Sequence, residues 1–376
     1  MTNAARTFRP TIAEIDLGAV RHNIETLGSY LAPHVERLAV VKANGYGHGA
    51  TEVARAAIDA GATRLGVALV EEGIALRNAG FGVPIVMLVE PPLDAAKAVV
   101  EYALTPSIST KAVADALGEA ASNASKTIPV HVCVDTGMHR EGVVLDDGVS
   151  FVADVARRPG LEVEGLWSHF ALGEQDQHPF TVRQIELFST LCDDVAKAGI
   201  DVAVRHLTSS AGIVLYPESH FDLVRMGIML YGLYPHESLQ ERCEIRPALA
   251  LRSAVSLTRR LRAGEGISYG LTWAPEGDTT IANVPIGYGD GFARLLSNNG
   301  DVLIGGKRRR IAGRVTMDTI MADCGDDAVR VGDEVVLIGS QGDEEISATE
   351  IAQKIGTINY EVVCLIGPRV PRRYAS

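Results

Sequence analysis

What the chain lacks narrows its class before any motif is considered. It has five cysteines, Cys133, Cys192, Cys243, Cys324 and Cys364, and no CxxC pair. An odd count without metal-ligand spacing excludes a disulfide framework and a cysteine-based metal centre, and no metal is expected. Reduced thiols suit the cytoplasm. No segment reaches the roughly 18 uninterrupted apolar residues of a transmembrane helix, so no membrane association is expected. The N-terminal MTNAARTFRPTIAEIDL has no apolar core of signal-peptide length, which again points to the cytoplasm. The longest basic run, Lys307 to Arg310, is short and reads as a solvated hairpin, and the formal net charge is -12. Both argue against a nucleic-acid partner. No GxGxxG opens the first strand-helix unit, which weakens a dinucleotide-binding fold. Internal repeats and low-complexity tracts are also missing.

What is present supports a folded chain of 376 residues, 47% hydrophobic with mean hydropathy +0.12, long enough for two domains. Residues 11–17 alternate as a strand, and Asp16 then opens a helical pattern that runs to about Leu31. Apolar strand candidates follow near 37–42, 65–69, 84–89, 103–108, 128–134, 161–168, 202–207 and 223–228. Helical patterns separate them at 49–60, 71–79, 93–101, 110–121, 146–157 and 180–198, with a shorter one after Ser209. Eight strands alternating with helices predict a (β/α)8 barrel, the TIM-barrel architecture, with an open doubly wound sheet as competitor. Beyond about residue 240 short strands separated by Gly, Asp and Asn take over, at 249–258, 279–285, 301–304, 309–312, 319–322 and 333–338, and a helix follows near 347–355. The fold class is therefore α/β: an N-terminal barrel over 1–236 and a mostly β domain over 237–376, with 11–17 able to pair with the second domain.

Barrel sites gather at the C-terminal ends of the strands. That rule selects Lys42, Asp135 and Arg140, His169, Ser209 and Ser210, and Arg225, Gly227 and Ile228. Lys42 is the most telling. It ends an apolar run, where its amine is costly to desolvate unless it pairs or reacts. Desolvation also frees the amine for covalent chemistry with carbonyls. Gly45, Gly47 and Gly49 follow at once, as in a turn needing unusual backbone angles. Each residue has a plainer reading. Lys42 can snorkel, His169 can be a satisfied core histidine, Arg225 can be an ion-pair arginine, and the serines can cap the next helix. Their convergence at one mouth makes the joint plain reading poor. Ser268-Tyr269-Gly270, the Gly287–Gly291 turn and Met317-Asp318 also stand out, although β-turns account for such residues equally well.

The stretch VVKANGYGHG resembles the pyridoxal-phosphate lysine motif of the alanine racemase family. VDTGMHREG, WSHFA, SSAG, DLVRMGIMLYG, ISYGLTW, PIGYGDG, GRVTMD and TINYEV resemble further motifs of that family, in the same order and over nearly the whole chain. The resemblance implies a barrel followed by a β domain, and pyridoxal 5'-phosphate as cofactor. It implies that Lys42 carries the cofactor covalently and that Tyr46, Ser209, Ser210, Gly227, Ile228 and Tyr360 surround its phosphate. Arg225 would face the pyridine nitrogen, with His169 behind the second acid/base, Tyr269. Arg140 and Met317 would orient the substrate carboxylate. Tyr269 and Met317 would come from the partner subunit of a homodimer with shared active sites. The implied reaction interconverts L-alanine and D-alanine by two bases, supplying D-alanine for peptidoglycan precursors in the cytoplasm.

The motifs are not matched everywhere. Where the family commonly has a lysine, often carbamylated, this chain has Cys133, so no carbamate can form there to position Arg140. An anion such as chloride, or neighbouring hydrogen bonds, is expected instead. Ser209 stands where an asparagine is usual, and His139 where a small residue is common. These departures keep a racemase for another small amino acid, such as serine, as an alternative. A pyridoxal-phosphate decarboxylase is a weaker one, because decarboxylation of this type favours an acidic group where Arg225 stands. A non-enzymatic cofactor-binding barrel is disfavoured by the second domain and Tyr269.

Overall fold

The computed structural model describes residues 8–375. Residues 1–7, on which the N-terminal targeting reading partly rests, and residue 376 lie outside the described residues. The chain divides into two compact units, one of residues 19–45 and 50–246, the other of residues 8–18, 46–49 and 247–375.

Strand β1 (Ile12–Asp16) belongs to the second unit. The first unit contains β2 (Glu36–Val40), β3 (Arg64–Val67), β4 (Ile85–Met87), β5 (Ser107–Ile108), β6 (Ile128–Asp135), the two-residue β7 (Val143–Val144), β8 (Leu161–Trp167), β9 (Val204–His206) and β10 (Leu223–Met226). Two parallel sheets result, ordered β10-β2-β3-β4 and β5-β6-β8-β9, with β7 beside β6. Single parallel bridges, Val86 with Thr105 and Ser209 with Arg225, join the sheets at both seams and close an eight-stranded barrel. The strand expected over 103–108 is regular only at Ser107–Ile108. Pro106 supplies no N–H to a ladder, so the seam relies on Thr105, whose carbonyl accepts from Met87 N at 2.8 Å. Between the strands lie helices Ala50–Asp59, Val70–Asn78, Ala96–Glu101, Lys111–Asn123, Gly148–Ala156, Pro179–Lys197 and Ser210–Leu215. Their buried residues recur at helical spacing, as with Val113, Ala114, Leu117 and Ala121.

In the second unit a sheet runs β15-β14-β17-β11-β1-β19, where β11 is Leu249–Ala254, β14 Asp301–Ile304, β15 Lys307–Arg310, β17 Glu334–Gln341 and β19 Arg372–Ala375. A further strand, β18 (Glu344–Ile346), pairs with β17. β1 lies antiparallel to β11, with Ile12 opposite Arg252, and parallel to β19, with Ala13 opposite Arg372. Three strands, β12 (Leu257–Leu261), β13 (Thr279–Val284) and β16 (Ile320–Asp323), make a separate sheet. The single strand expected over 249–258 is thus two. At the break, Val255 N donates to Asp333 O and Ser256 N to Asn283 O, so the chain changes sheets there. The basic run on β15 forms a hairpin with β14, and its charges are answered locally. Arg308 pairs with Glu344 and Glu350, and Lys307 and Arg309 pair with Asp327. No helix among the described residues is long and apolar enough to cross a membrane.

The barrel interior contains bulky polar side chains among apolar ones, with Arg64, His131, His206 and Arg225 all buried. Gly165 on β8 makes room for one of them. It lies opposite His131 in register, and a Cβ added there would sit 2.5 Å from the imidazole ring. Gly165→Ala should therefore displace His131 and destabilise the protein by about 1–3 kcal/mol, the usual cost of overpacking. Urea unfolding of the two proteins side by side measures this, and an unchanged midpoint would contradict it.

Candidate active site

Lys42 leaves β2 into a turn with unusual backbone angles. Ala43, Asn44 and Gly45 take φ/ψ of 51/48°, 53/47° and 61/47°, and Tyr46 and Gly47 continue with φ of 49° and 81°. This is a left-handed turn, costing roughly 1–2 kcal/mol for each non-glycine residue in it. The glycines suggested a turn with unusual angles, and Ala43, Asn44 and Tyr46 share those angles with them. Three hydrogen bonds hold the turn: Gly45 N to Val41 O at 2.8 Å, Ala43 N to Glu72 Oε1 at 2.6 Å, and Ala50 N to Asn44 Oδ1 at 3.1 Å. Glu72 also accepts from Ala68 N and Leu69 N. The sequence reading passed over Glu72, since a glutamate in the first turn of a helix is unremarkable. The Lys42 amine has its pKa lowered by burial, then by the charge of Arg140 and, beyond the opposing Glu72, that of Arg225. Its nucleophilic, neutral form is correspondingly favoured.

Arg225 on β10 is 2% exposed. Its guanidinium donates to Ser168 O at 3.0 Å, Leu207 O at 2.8 Å, His169 Nδ1 at 2.8 Å and His206 Nδ1 at 2.9 Å. It also packs over the Trp167 ring, 4.9 Å from the centroid. None of these partners is a carboxylate. Burial lowers its pKa to about 9, which leaves it cationic at neutral pH. His169 has its pKa held well below the usual histidine value by burial and by the charges of Arg225, Arg140 and Lys42. It is therefore neutral. Because Nδ1 accepts from Arg225, its single proton sits on Nε2.

Ser209 precedes the helix Ser210–Leu215 without capping it through its side chain. Ser210 Oγ accepts from Gly227 N at 2.8 Å and Met229 N at 3.4 Å, which ties the start of that helix to the turn at Ile228–Tyr231. Tyr231, buried in the same turn, donates to Val40 O on β2 at 2.8 Å. Lys42, Ser209, Ser210, Gly227, Ile228 and Arg225 thus stand on three adjoining strand ends, β2, β10 and β9.

Cys133, Arg140, His169 and Trp167 line one narrow cavity beyond β6 and β8. Burial pushes the Cys133 thiol up to about 12, so it carries no negative charge there at neutral pH. Arg140 is exposed, and its side chain has no ion pair or hydrogen bond among the described residues. His139 is taken up otherwise, its Nδ1 lying 2.8 Å from Asp135 Oδ2.

The remaining expected site residues belong to the second unit. Tyr46 and Tyr360 face each other with ring centroids 6.2 Å apart. Tyr269 and Met317 are among the most exposed large apolar side chains, at 72% and 51%. Ser268 Oγ donates to Arg314 O at 2.8 Å, so the Tyr269 loop is fastened to the segment that leads into Met317. Tyr288 N and Gly289 N donate to Thr316 O and Met317 O, which fixes the backbone of that segment.

Pyridoxal phosphate needs an unprotonated amine for its aldehyde, donors for a dianion and a partner for its ring nitrogen. The first unit offers a desolvated lysine, two serines at a helix start and a buried guanidinium without a carboxylate, and this donor set fits the cofactor. Among the described residues no cluster of His, Cys, Asp or Glu is placed to hold a metal ion.

Comparison with known proteins agrees with this chemistry. Residues 15–235 match the family model of the alanine racemase N-terminal domain, and residues 248–374 that of the C-terminal domain. The chain is 42% identical over 372 residues to an alanine racemase of Halothermothrix orenii, covering 99% of this chain and 98% of that protein. It is 45% identical over 370 residues to one of Symbiobacterium thermophilum, covering 98% of each. The crystal structure of alanine racemase from Streptomyces lavendulae, 39% identical, superposes with a TM-score of 0.94 over 99% of this chain and 98% of that one. The structure from Bacillus anthracis with bound L-Ala-P also gives 0.94, at 36% identity over 99% and 96%. With both family models matched in order and relatives similar from end to end, the chain belongs to the alanine racemase family, whose members depend on pyridoxal phosphate.

Proposed function

We infer that this chain interconverts L-alanine and D-alanine in the cytoplasm, using Lys42 and the partner subunit's Tyr269 on opposite faces of the substrate. In this reading the barrel expected over 1–236 is the cofactor-binding domain, and the β domain expected over 237–376, with which β1 pairs, contributes to the partner's site. The observation that carries it is the set Lys42, Arg225 and His169: a desolvated amine beside a buried cation whose charge is answered by neutral groups. The bound cofactor supplies an electron sink that makes the Cα proton of its substrate labile. Everything else falls to the protein. Lys42 would hold the cofactor and, with its amine free, would remove or return the Cα proton on one face. Tyr269 does so on the other. A phenol in water holds its proton up to roughly pH 10, so a tyrosine acting near neutrality needs a donor to its oxygen. The Nε2–H of His169 is available for this. Arg225, which gives up a proton reluctantly, would face the ring nitrogen of the cofactor without protonating it, a pairing that would disfavour side reactions such as decarboxylation. Arg140 and the partner's Met317 hold the substrate carboxylate. Tyr46, Ser209, Ser210, Gly227, Ile228 and Tyr360 hold the phosphate.

Three experiments test this reading. The loaded protein should be yellow, and borohydride should fix the cofactor on the peptide that contains Lys42. Lys42→Ala should lose that link, and label on another lysine would sink the assignment. Tyr269→Phe should bind cofactor normally while racemisation falls about a hundredfold or more, the scale of a lost acid/base group. Lys42 should still exchange the Cα hydrogen of one enantiomer with solvent deuterium, the D form by family resemblance. Equal exchange of both enantiomers would refute the two-base assignment. Finally, mixing Lys42→Ala with Tyr269→Phe subunits should restore activity, because each mixed dimer has one intact shared site. No recovery after proven subunit exchange would indicate sites built within one chain.

A further inference from the structure

Arg225 is a buried cation whose nearest partners are all neutral, and the anion that answers it lies two imidazoles away. Arg225 donates to His206 Nδ1 at 2.9 Å. A guanidinium has only donors, so Nδ1 of His206 must be bare and the proton of the neutral ring must lie on Nε2. That nitrogen is 2.8 Å from His131 Nδ1, to which it therefore donates. His131 in turn carries its proton on Nε2, 3.0 Å from Glu164 Oε2. The other Glu164 oxygen accepts from Arg64 at 2.8 Å, and Arg64 is anchored to Glu36 at 2.8 and 3.2 Å. A guanidinium at one end and a carboxylate at the other leave a single arrangement of protons along the line.

The surroundings keep it so. His131 and His206 are fully buried, and burial lowers the pKa of each, so both rings are neutral. Burial opposes ionisation of Glu164, but its hydrogen bonds with His131 and Arg64 hold its pKa down at about 2. The Trp167 ring lies flat against His206, 5.6 Å between centroids and 5° between planes, and also against Arg225. Its members stand on β8, β6, β9 and β10 in that order, and the step from His131 on β6 to His206 on β9 passes over β8, where Gly165 leaves room for the imidazole.

We propose that Glu164, acting through His131 and His206, is a positioning residue that fixes the hydrogen-bond direction of this relay and so holds Arg225 with its free edge towards the cofactor ring nitrogen. The last clause rests on the placement of Arg225 proposed above. The relay itself does not, because it can be read in the cofactor-free protein.

Glu164→Gln is the informative change, since it keeps shape and removes symmetry. Its one oxygen must face Arg64, which leaves its NH2 against His131. His131 must then accept at Nε2 and donate from Nδ1, and His206 must move its proton to Nδ1, where it meets an N–H of Arg225. The first measurement is nitrogen-15 NMR of the histidine rings in the unaltered apoprotein. Both rings should be neutral with the proton on Nε2. A proton on Nδ1 of His206, or a doubly protonated ring at neutral pH, overturns the proposal. In folded Glu164→Gln the ring nitrogens of His131 and His206 should shift and the visible absorption of the bound cofactor should change. Its kcat should fall about tenfold or more, as for a lost hydrogen bond to a charged group. Unmoved His206 nitrogens overturn the proposal. Moved nitrogens with an unchanged cofactor band would leave the relay standing and bring down the placement of Arg225.

Discussion

The arrangement of the barrel interior depends on burying the charge of Arg225. A guanidinium in an apolar barrel is stabilised only if its donors all find acceptors, because each one left unmet costs on the scale of a lost charged hydrogen bond. Two carbonyls, of Ser168 and Leu207, and two imidazoles meet its two terminal nitrogens, and the remaining edge is the one proposed to face the cofactor. This choice of neutral acceptors has consequences in both directions. Towards the mouth, His169 is obliged to accept at Nδ1 and hence to present an N–H from its other nitrogen. Towards the interior, His206 is obliged to pass its proton on. A carboxylate beside Arg225 would have neutralised the cation and relieved both histidines of a fixed tautomer.

A second constraint is the chain path that delivers Lys42. The left-handed turn after it is intrinsically unfavourable for Ala43, Asn44 and Tyr46, yet it keeps the lysine at the end of a β strand while the chain reverses within a few residues. Strain of this kind persists where surroundings over-determine it. Glu72 and Asn44 do so here, with carboxylate and amide oxygens on backbone N–H groups that the turn would otherwise leave without partners. What is fixed is the backbone that carries Lys42, which suits the cofactor-holding and proton-transferring roles proposed for it.

The alternation of apolar runs with helical periods was enough to read the barrel, because a parallel strand covered on both faces must be nearly all apolar. The mouth residues could be read from the rule that sites gather at strand ends. Polar groups inside the barrel were harder. His131 sits in VHVCVD and Glu164 in LEVEG, positions that look like ordinary strand alternation. Nothing local tells an inward polar residue from an outward one until the register is known, and the partners of each lie on other strands. The same limit hid Glu72, whose three backbone partners lie up to 29 residues away. The regular strand is shorter than the apolar run over 103–108 because the missing N–H of Pro106 breaks the ladder there.

Cys133 shows how one substitution changes electrostatics without disturbing the fold. The thiol is buried and neutral, so it fits the apolar end of β6 without difficulty. Arg140 lines the same cavity, as do Asp135 and Glu141, yet its side chain remains exposed and makes no ion pair among the described residues. A long flexible cation in that state loses side-chain entropy only when something negative arrives. The ordering cost that an anionic neighbour would meet in advance is thus deferred to the binding of substrate. On the function proposed above this weakens binding of the substrate carboxylate, and because the charge of Arg140 also lowers the pKa of Lys42 and of His169, any movement of Arg140 bears on those groups as well. The departure from the family pattern at Cys133 thus acts through Arg140, on the carboxylate contact proposed for it and on the electrostatics of its neighbours.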